Sequence, residues 1–487
     1  ARLSDEQIAD IIQQTKDLSE RQNSQDDESI LPKVGLEDVP AEIKVPSAIP
    51  ALNENAKIPF TYYGQGTNGL VYQQVILELP ALDAEQLQLL PYYTSFITEL
   101  GFGDLNYRDA QARQSEVSGG ISAFSSIRGA IDDPTNISGN LVFSGKALQY
   151  NHVSFSELMK QIMDTARFDE LDYIRELMAQ SSAHREQSIT GSGHSLAMSA
   201  AASGMGPLPA LSHRNSGLQG IKFLKELNKT LDDKQALQAF ADSLKQIHEK
   251  VMGANRQYLL IGEPDKQEQL EQQLIAGWPA TTAETQSSID LPDVNETVKE
   301  AWICNSQVNF CAKAYKTVPS THPDAAALMV LGNFLRNGYL HRAIREQGGA
   351  YGGGAGQDSA SGVFRFFSYR DPRLSETMDD FDQSIEWLLT TEHDESKVEE
   401  AILGVIGGMD KPGSPAGEAK QAFHSELAGR TLAHRNQIRD RVLNVTIEEL
   451  KAVGEKYLKP DTASIAVVSH AGMADELKKQ GFELKYL

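Results

Sequence analysis

A hydrolytic metal site carried on one helix needs two histidines about a turn apart, so that both imidazoles leave the same face. This chain has eleven histidines, and the nearest neighbours, His184 with His194 and His424 with His434, are ten residues apart. No helix-borne pair of the zincin kind, forward or inverted, can therefore form. Other machinery is missing as well. Gly191-Ser192-Gly193-His194-Ser195 does not make a G-x-S-x-G elbow, and Ser144-Gly145-Lys146-Ala147 lacks the spacing and final hydroxyl of a phosphate-binding loop. The glycines Gly348, Gly349, Gly352, Gly353, Gly354 and Gly356 follow a helical pattern and enter a strand. That order is the reverse of the strand-to-helix turn that seats a phosphate on a helix N-terminus.

One constellation could still touch a reacting group: Arg345-Glu346-Gln347-Gly348-Gly349-Ala350-Tyr351. Arg345 is expected in the last turn of a long helix, with Gly348 and Gly349 permitting a tight reversal into a strand that starts at Tyr351. Such a turn brings a guanidinium and a phenol to one rim, where both can donate hydrogen bonds to a polarised carbonyl or an oxyanion. Spacing alone is also explained structurally, and more commonly so. Arginine near a helix C-terminus complements the dipole, and tyrosine at a strand start is ordinary packing.

The elements that would position this turn fall into two series. A polar amphipathic helix over Ser4 to Gln22 leads into a stretch with Pro32, Pro40, Pro46 and Pro50, which forbid a long helix and read as an extended strap. Strands are expected in IPFTYY, GLVYQQVILELP, GGISAFSSIRGA and NLVFSGKALQY, then several amphipathic helices, then the strand RQYLLIGE and a closing helix. The second series repeats that order. Paired strands lie in KEAWICNSQVNFCAKAY, a long helix in HPDAAALMVLGNFLRNGYLHRAIREQ, and a final strand and helix in TASIAVVSH and GMADELKKQ. The repeated order argues for an internal duplication, and strands followed by blocks of helices argue for α+β layers. The expected organisation is a linker helix and strap over 1–50, a first domain without metal ligands over 51–276, and a second over 277–487 that carries the Arg/Tyr segment.

Composition narrows the function classes. With 487 residues, 40% of them hydrophobic, the chain can build real cores in more than one unit. A formal net charge of −22 lacks the basic field that nucleic acid or an anionic membrane requires, so neither is expected as a partner. No apolar run reaches the roughly 20 residues of a membrane span, and the N-terminus has no apolar signal region. Cys304 and Cys311 lie seven residues apart; on one continuous strand they would point to opposite faces, so free buried thiols are expected.

Several segments together resemble the C-terminal half of the presequence protease branch of the pitrilysin (M16) metallopeptidases. YLHRAIREQGGAYGGGAG is similar to that family's Arg/Tyr segment, and VFRFFSYRDPRLSETMDDFDQSIEWL resembles the strand and helix that follow it. GSGHSLAMSAAAS with SGLQGIKFLKEL resembles the helical stretch of the third family domain, and the opening helix with its strap resembles the linker between family halves. The resemblance implies an α+β chain of two homologous pitrilysin-like domains, each a mostly antiparallel sheet packed with helices, preceded by a helical linker. It implies that the chain is the non-catalytic half of a zinc metalloendopeptidase that degrades short unfolded peptides. Zinc is then expected in an N-terminal half bearing His-x-x-Glu-His, in the same polypeptide or a separate chain, and no metal or cofactor in this one. By motif position Arg345 and Tyr351 would reach substrate near that metal; Arg342 is on the same helix but at the wrong spacing. Alone, the chain is expected to be inactive, soluble and cytoplasmic in a bacterium. The missing initiator Met and linker-like start favour a piece of a longer polypeptide. The alternatives are an inactive peptide-binding or scaffold subunit of the superfamily, or an independent enzyme whose site is assembled from distant residues.

Overall fold

The computed structural model describes residues 4–24, 32–52, 58–278 and 289–487. The acidic stretch 25–31 and residues 279–288, near the start of the second expected domain, lie outside these. Residues 1–40 and 41–487 form separate compact units. In the first, the helix Asp5–Asn23 starts at Ser4, whose side chain accepts from Gln7 N–H while the Gln7 side chain reaches back to the Ser4 amide, a reciprocal cap. Ile8, Ile11, Ile12 and Leu18 are exposed on it.

In the second unit, eleven strands among the described residues make two sheets. The first sheet holds β1 (Phe60–Gly64), β2 (Leu70–Glu78), β3 (Ile121–Gly129), β4 (Ile137–Leu148) and β5 (Arg256–Gly262), in the order β1-β5-β2-β4-β3. The second holds β6 (Lys299–Cys304), β7 (Phe310–Lys316), β8 (Gly352–Asp358), β9 (Val363–Tyr369), β10 (Ser464–His470) and β11 (Glu483–Tyr486), in the order β11-β6-β10-β7-β9-β8. Apart from the added edge strand β11, the two orders correspond strand for strand. In each, the first strand runs parallel to the last long one, and every other matched pair is antiparallel. The duplication read from element order is thus present as a shared topology.

Two local expectations change. β6 and β7 are not paired with each other, because β10 returns between them and bonds to both. Cys304 and Cys311 therefore stand on different strands, opposite His470 and Val467 of β10, rather than on one continuous strand; both are free. The expected long helix divides: Ala325–Leu335 is α-helical, and Arg336–Gln347 continues with π-helical hydrogen bonding. The wider turn carries Gly338 past the Trp387 ring, where a Cβ would collide with the indole.

Burial explains why each sheet needs both faces covered. Along β2, Val75 and Leu77 belong to the large core of the first sheet while Ile76 belongs to a second cluster on the opposite face. That second cluster, with Tyr63, Val142, Leu259 and Ile261, is closed by Ala416, Ala419, Ala422 and Phe423 of the helix Pro415–Leu427, which comes from the second half of the chain. The exchange is mutual. The helix Leu171–Ala202 from the first half lays Ile189, Leu196, Ala197, Ala200 and Ala201 against Trp302, Phe310, Ala312, Val363 and Val468 of the second sheet. At its closest approach Gly193 meets the Phe310 ring, and a Cβ there would sit 2.5 Å from it.

Candidate functional site

The Arg/Tyr turn is built from its glycines outward. Gly348 closes the π segment, its amide donating to Arg345 C=O; a side chain there would strike the Arg373 guanidinium. Gly349 takes φ +78, a left-handed conformation that an L side chain adopts only with strain. Its amide also bonds Arg345 C=O at 3.1 Å, and Ala350 N–H bonds Ile344 C=O at 3.1 Å. The chain then enters the sheet through Tyr351 N–H to Tyr369 C=O, 3.0 Å, just ahead of β8.

This reversal places both expected side chains on the outside. Arg345 is exposed and Tyr351 is 65% exposed, with the Arg345 guanidinium carbon 5.8 Å from the centre of the Tyr351 ring. An exposed cation and phenol side by side form a donor pair with no bulk above it. It can accept a carbonyl or oxyanion from a second body but supplies neither nucleophile nor base.

Residues from other elements support the rim, and no spacing rule singled them out. Tyr369, at the end of β9, packs edge-on to Tyr351 at 5.5 Å, and His194 packs edge-on to Tyr369 at 4.8 Å. His194 stands just past the kink at Ser192 in the helix Leu171–Ala202. Burial holds its imidazole below the usual value, and its Nδ1 is buried without a partner. Arg370 has φ +50, uncommon for a residue with a side chain, and its guanidinium lies 5.4 Å from the Tyr369 ring centre.

A buried knot fixes this corner. Asn309 and Asp371 exchange backbone hydrogen bonds at 2.8 and 2.9 Å. The Asp371 carboxylate accepts from Thr377 Oγ1 at 2.7 Å and Arg373 N–H at 2.9 Å, while burial pushes its carboxyl up. Ser469 of β10 donates to the Asn309 side chain at 2.6 Å. Arg373 ties the knot to the turn by donating to Ala343 C=O at 3.3 Å and pairing with Asp380 at 2.8 Å. The Tyr-Arg-Asp-Pro segment is a brace behind the Gly-Gly reversal.

Among the described residues no group of three or more His, Cys, Asp or Glu could hold a metal ion. Three of the buried or half-buried histidines are each held by neutral partners: His152 between Gln73 and Gln273, His248 against Tyr93, His424 on Gln74. No helix among the described residues is long and apolar enough to cross a membrane.

Comparison with known proteins agrees across nearly the whole chain. The family model for the segment associated with subfamily C of the M16 peptidases matches residues 1–227, and that described as PreP C-terminal domain matches residues 299–468. A mitochondrial presequence protease of Danio rerio is 28% identical over 482 residues, covering 94% of this chain and 46% of its own length. The Yarrowia lipolytica counterpart is 27% identical, covering 96% of this chain and 47% of its own length. The chain thus spans about half the length of the curated relatives it matches. In fold it is similar to a peptidase M16 inactive domain from Pseudomonas fluorescens, with a TM-score of 0.59 and 18% identity over 88% of this chain and 98% of that one.

Proposed function

Because this chain belongs to the presequence-protease branch of the M16 metallopeptidases, we propose that it is the C-terminal, non-catalytic half of such an enzyme, that it encloses unfolded peptides, and that it lends Arg345 and Tyr351 to an active site completed by another half. That other half would bear the His-x-x-Glu-His helix and hold the zinc. Zinc would there supply Lewis-acid polarisation and an activated water. Among the described residues of this chain no ligand set for it is found, and the part proposed for Arg345 and Tyr351 is hydrogen bonding. The Arg345 guanidinium and the Tyr351 hydroxyl would donate to the scissile carbonyl oxygen as it gains charge. Donors fixed before reaction are most effective in that role, because they need no reorganisation. The supporting observation is the Arg345–Tyr351 pair itself, held outward at 5.8 Å by the left-handed turn at Gly349 and a buried brace.

The test is reconstitution. Mixing the purified chain with a His-x-x-Glu-His-bearing half is expected to restore chelator-sensitive cleavage of an unfolded fluorogenic peptide. Tyr351→Phe and Arg345→Gln should each lower kcat by about 10- to 1,000-fold, the range for losing one oxyanion donor, with a smaller change in KM. Wild-type turnover in both variants would remove these residues from the site.

A further inference from the structure

A cavity of about 760 Å³ lies among the end of β3, the β8–β9 turn and helices of the second half of the chain, and its charge opposes that of the chain as a whole. The end of β3 contributes Arg128, the helix Pro415–Leu427 contributes Lys420 and His424, and the following segment contributes Arg430, His434 and Arg435. Among the described residues Asp358 is the one acid on the wall, and it is engaged by Arg365 at 3.0 Å. Among them, too, no carboxylate pairs with Arg128, Lys420, Arg430 or Arg435. Arg128 donates to Ser126 Oγ at 2.9 Å; Lys420 donates to Ser144 Oγ at 3.3 Å and lies 5.1 Å from the Tyr72 ring centre. The Arg430 Nε is buried with no partner, and so is the Ser359 hydroxyl on the opposite wall.

These cations repel one another. Arg430 is held below its ordinary value by burial and by Arg128 and Arg435; Lys420 is lowered by burial and by Lys146. Arg439, on the same helix as Arg435, shows what this chain does with a structural arginine: it is fully buried and takes Asp410 through two bonds of 2.7 Å. In a sequence with 67 acidic residues against 45 basic ones, a cavity lined by unpaired cations is an electrostatic strain that a bound anion would relieve.

From the convergence of Arg128, Lys420, Arg430 and Arg435 on one acid-poor cavity, we propose that this is a binding site for a peptide carboxylate. The carboxylate is the C-terminal one or that of an acidic side chain; the chemistry is the same. The proposal rests on the peptide-enclosing function above and adds an anchoring point to it. Asp358, at the cavity wall, ends β8, while Tyr351 immediately precedes it. Seven strand residues at about 3.3 Å each put the two ends roughly 20 Å apart. A peptide extended along this edge can therefore place its acid in the cavity and a distant bond at the Arg/Tyr rim.

Calorimetric titration of the purified chain tests it with four probes: a short peptide lacking charged side chains as its free acid, the same peptide amidated, the amide with one Glu added, and inorganic phosphate. The free acid, the Glu-bearing amide or both should bind at least about tenfold tighter than the plain amide, and the preference should weaken with salt. It should vanish in Lys420→Gln/Arg430→Gln and shrink in Arg128→Gln on the exposed strand edge. Removing like charges should leave the melting temperature unchanged or higher, so a lost preference cannot be put down to unfolding. Equal binding of all three peptides would overturn the carboxylate site and leave the peptide-enclosing function standing. A preference that survives the double variant, or binding of phosphate but no peptide, would also overturn it. Silence from every probe would overturn the carboxylate site, while the peptide-enclosing function stands or falls by reconstitution with the other half.

Discussion

Buried histidines contribute to how this molecule responds to acid, three of them most strongly. His213, His248 and His424 are each pushed from the usual 6.5 down to about 4, chiefly by burial; Arg128 and Lys420 add to the effect at His424 and Lys485 at His213. The folded chain resists protonating them, whereas the unfolded chain takes up those protons near the ordinary value. Stability is therefore full above the unfolded value of 6.5, declines as pH falls from about 6.5 towards 4, and receives no further loss from these groups below that. Urea midpoints measured from about pH 7 to about pH 5 should fall, and His248→Gln should flatten the slope without abolishing it, because burial also lowers His152, His194 and His434. A midpoint that holds level across that window would contradict the burial account. At the rim the same scale of argument separates two kinds of residue. Arg345 and Tyr351 were legible because two adjacent glycines announce a reversal whose flanks must come together. Tyr369, Arg370 and His194 were not, since their closeness depends on a second strand and on a helix from the other half of the chain.

The helix Leu171–Ala202 is the element on which both sheets depend, and its glycines have opposite meanings. Gly191 has open space around it, whereas a Cβ on Gly193 would sit 2.5 Å from the fully buried Phe310 ring. Alanine should gain helix propensity of about 1 kcal/mol at either position. At Gly193 this gain is outweighed by overpacking of about 1–3 kcal/mol. Gly191→Ala is expected to raise the denaturation midpoint and Gly193→Ala to lower it; a rise in both would mean that the helix can slide off β7 at little cost. The Ser192 kink, φ −121, lies between them. Helical periodicity foretold a helix here, but not which sheet it would cover. The division of the rim helix into α and π segments likewise left no mark in the periodicity, because Gly338 against Trp387 is a contact between elements far apart in sequence.

At the scale of the whole molecule, each half carries a helix that closes the other's sheet. Without Leu171–Ala202 the second sheet would expose Trp302, Phe310 and Val468, and without Pro415–Leu427 the first would expose Tyr63, Val142 and Leu259. Residues 41–487 accordingly form one compact unit despite holding two sheets of matching topology. Thermal unfolding of this body should give one calorimetric transition with agreeing calorimetric and van't Hoff enthalpies. Two resolved transitions would show that the exchanged helices do not couple the halves. The cationic cavity has its origin at this scale too, since its walls come from β3, from the β8–β9 turn, from the exchanged helix Pro415–Leu427 and from the helix Leu432–Leu443 that follows it.

By itself the amino-acid order determined the α+β class, the doubled series of elements and the glycine turn beside Arg345. It also ruled out a helix-borne histidine pair. All of these follow from period, local backbone freedom and the reach of neighbouring side chains, which are properties of short segments. Only the tertiary structure decided that β10 separates β6 from β7, that each half covers the other's sheet, and that Arg128, Lys420 and Arg430 converge without an acid. Strand insertion, face burial and long-range charge clustering are set by which surfaces meet. No window along the chain contains that information.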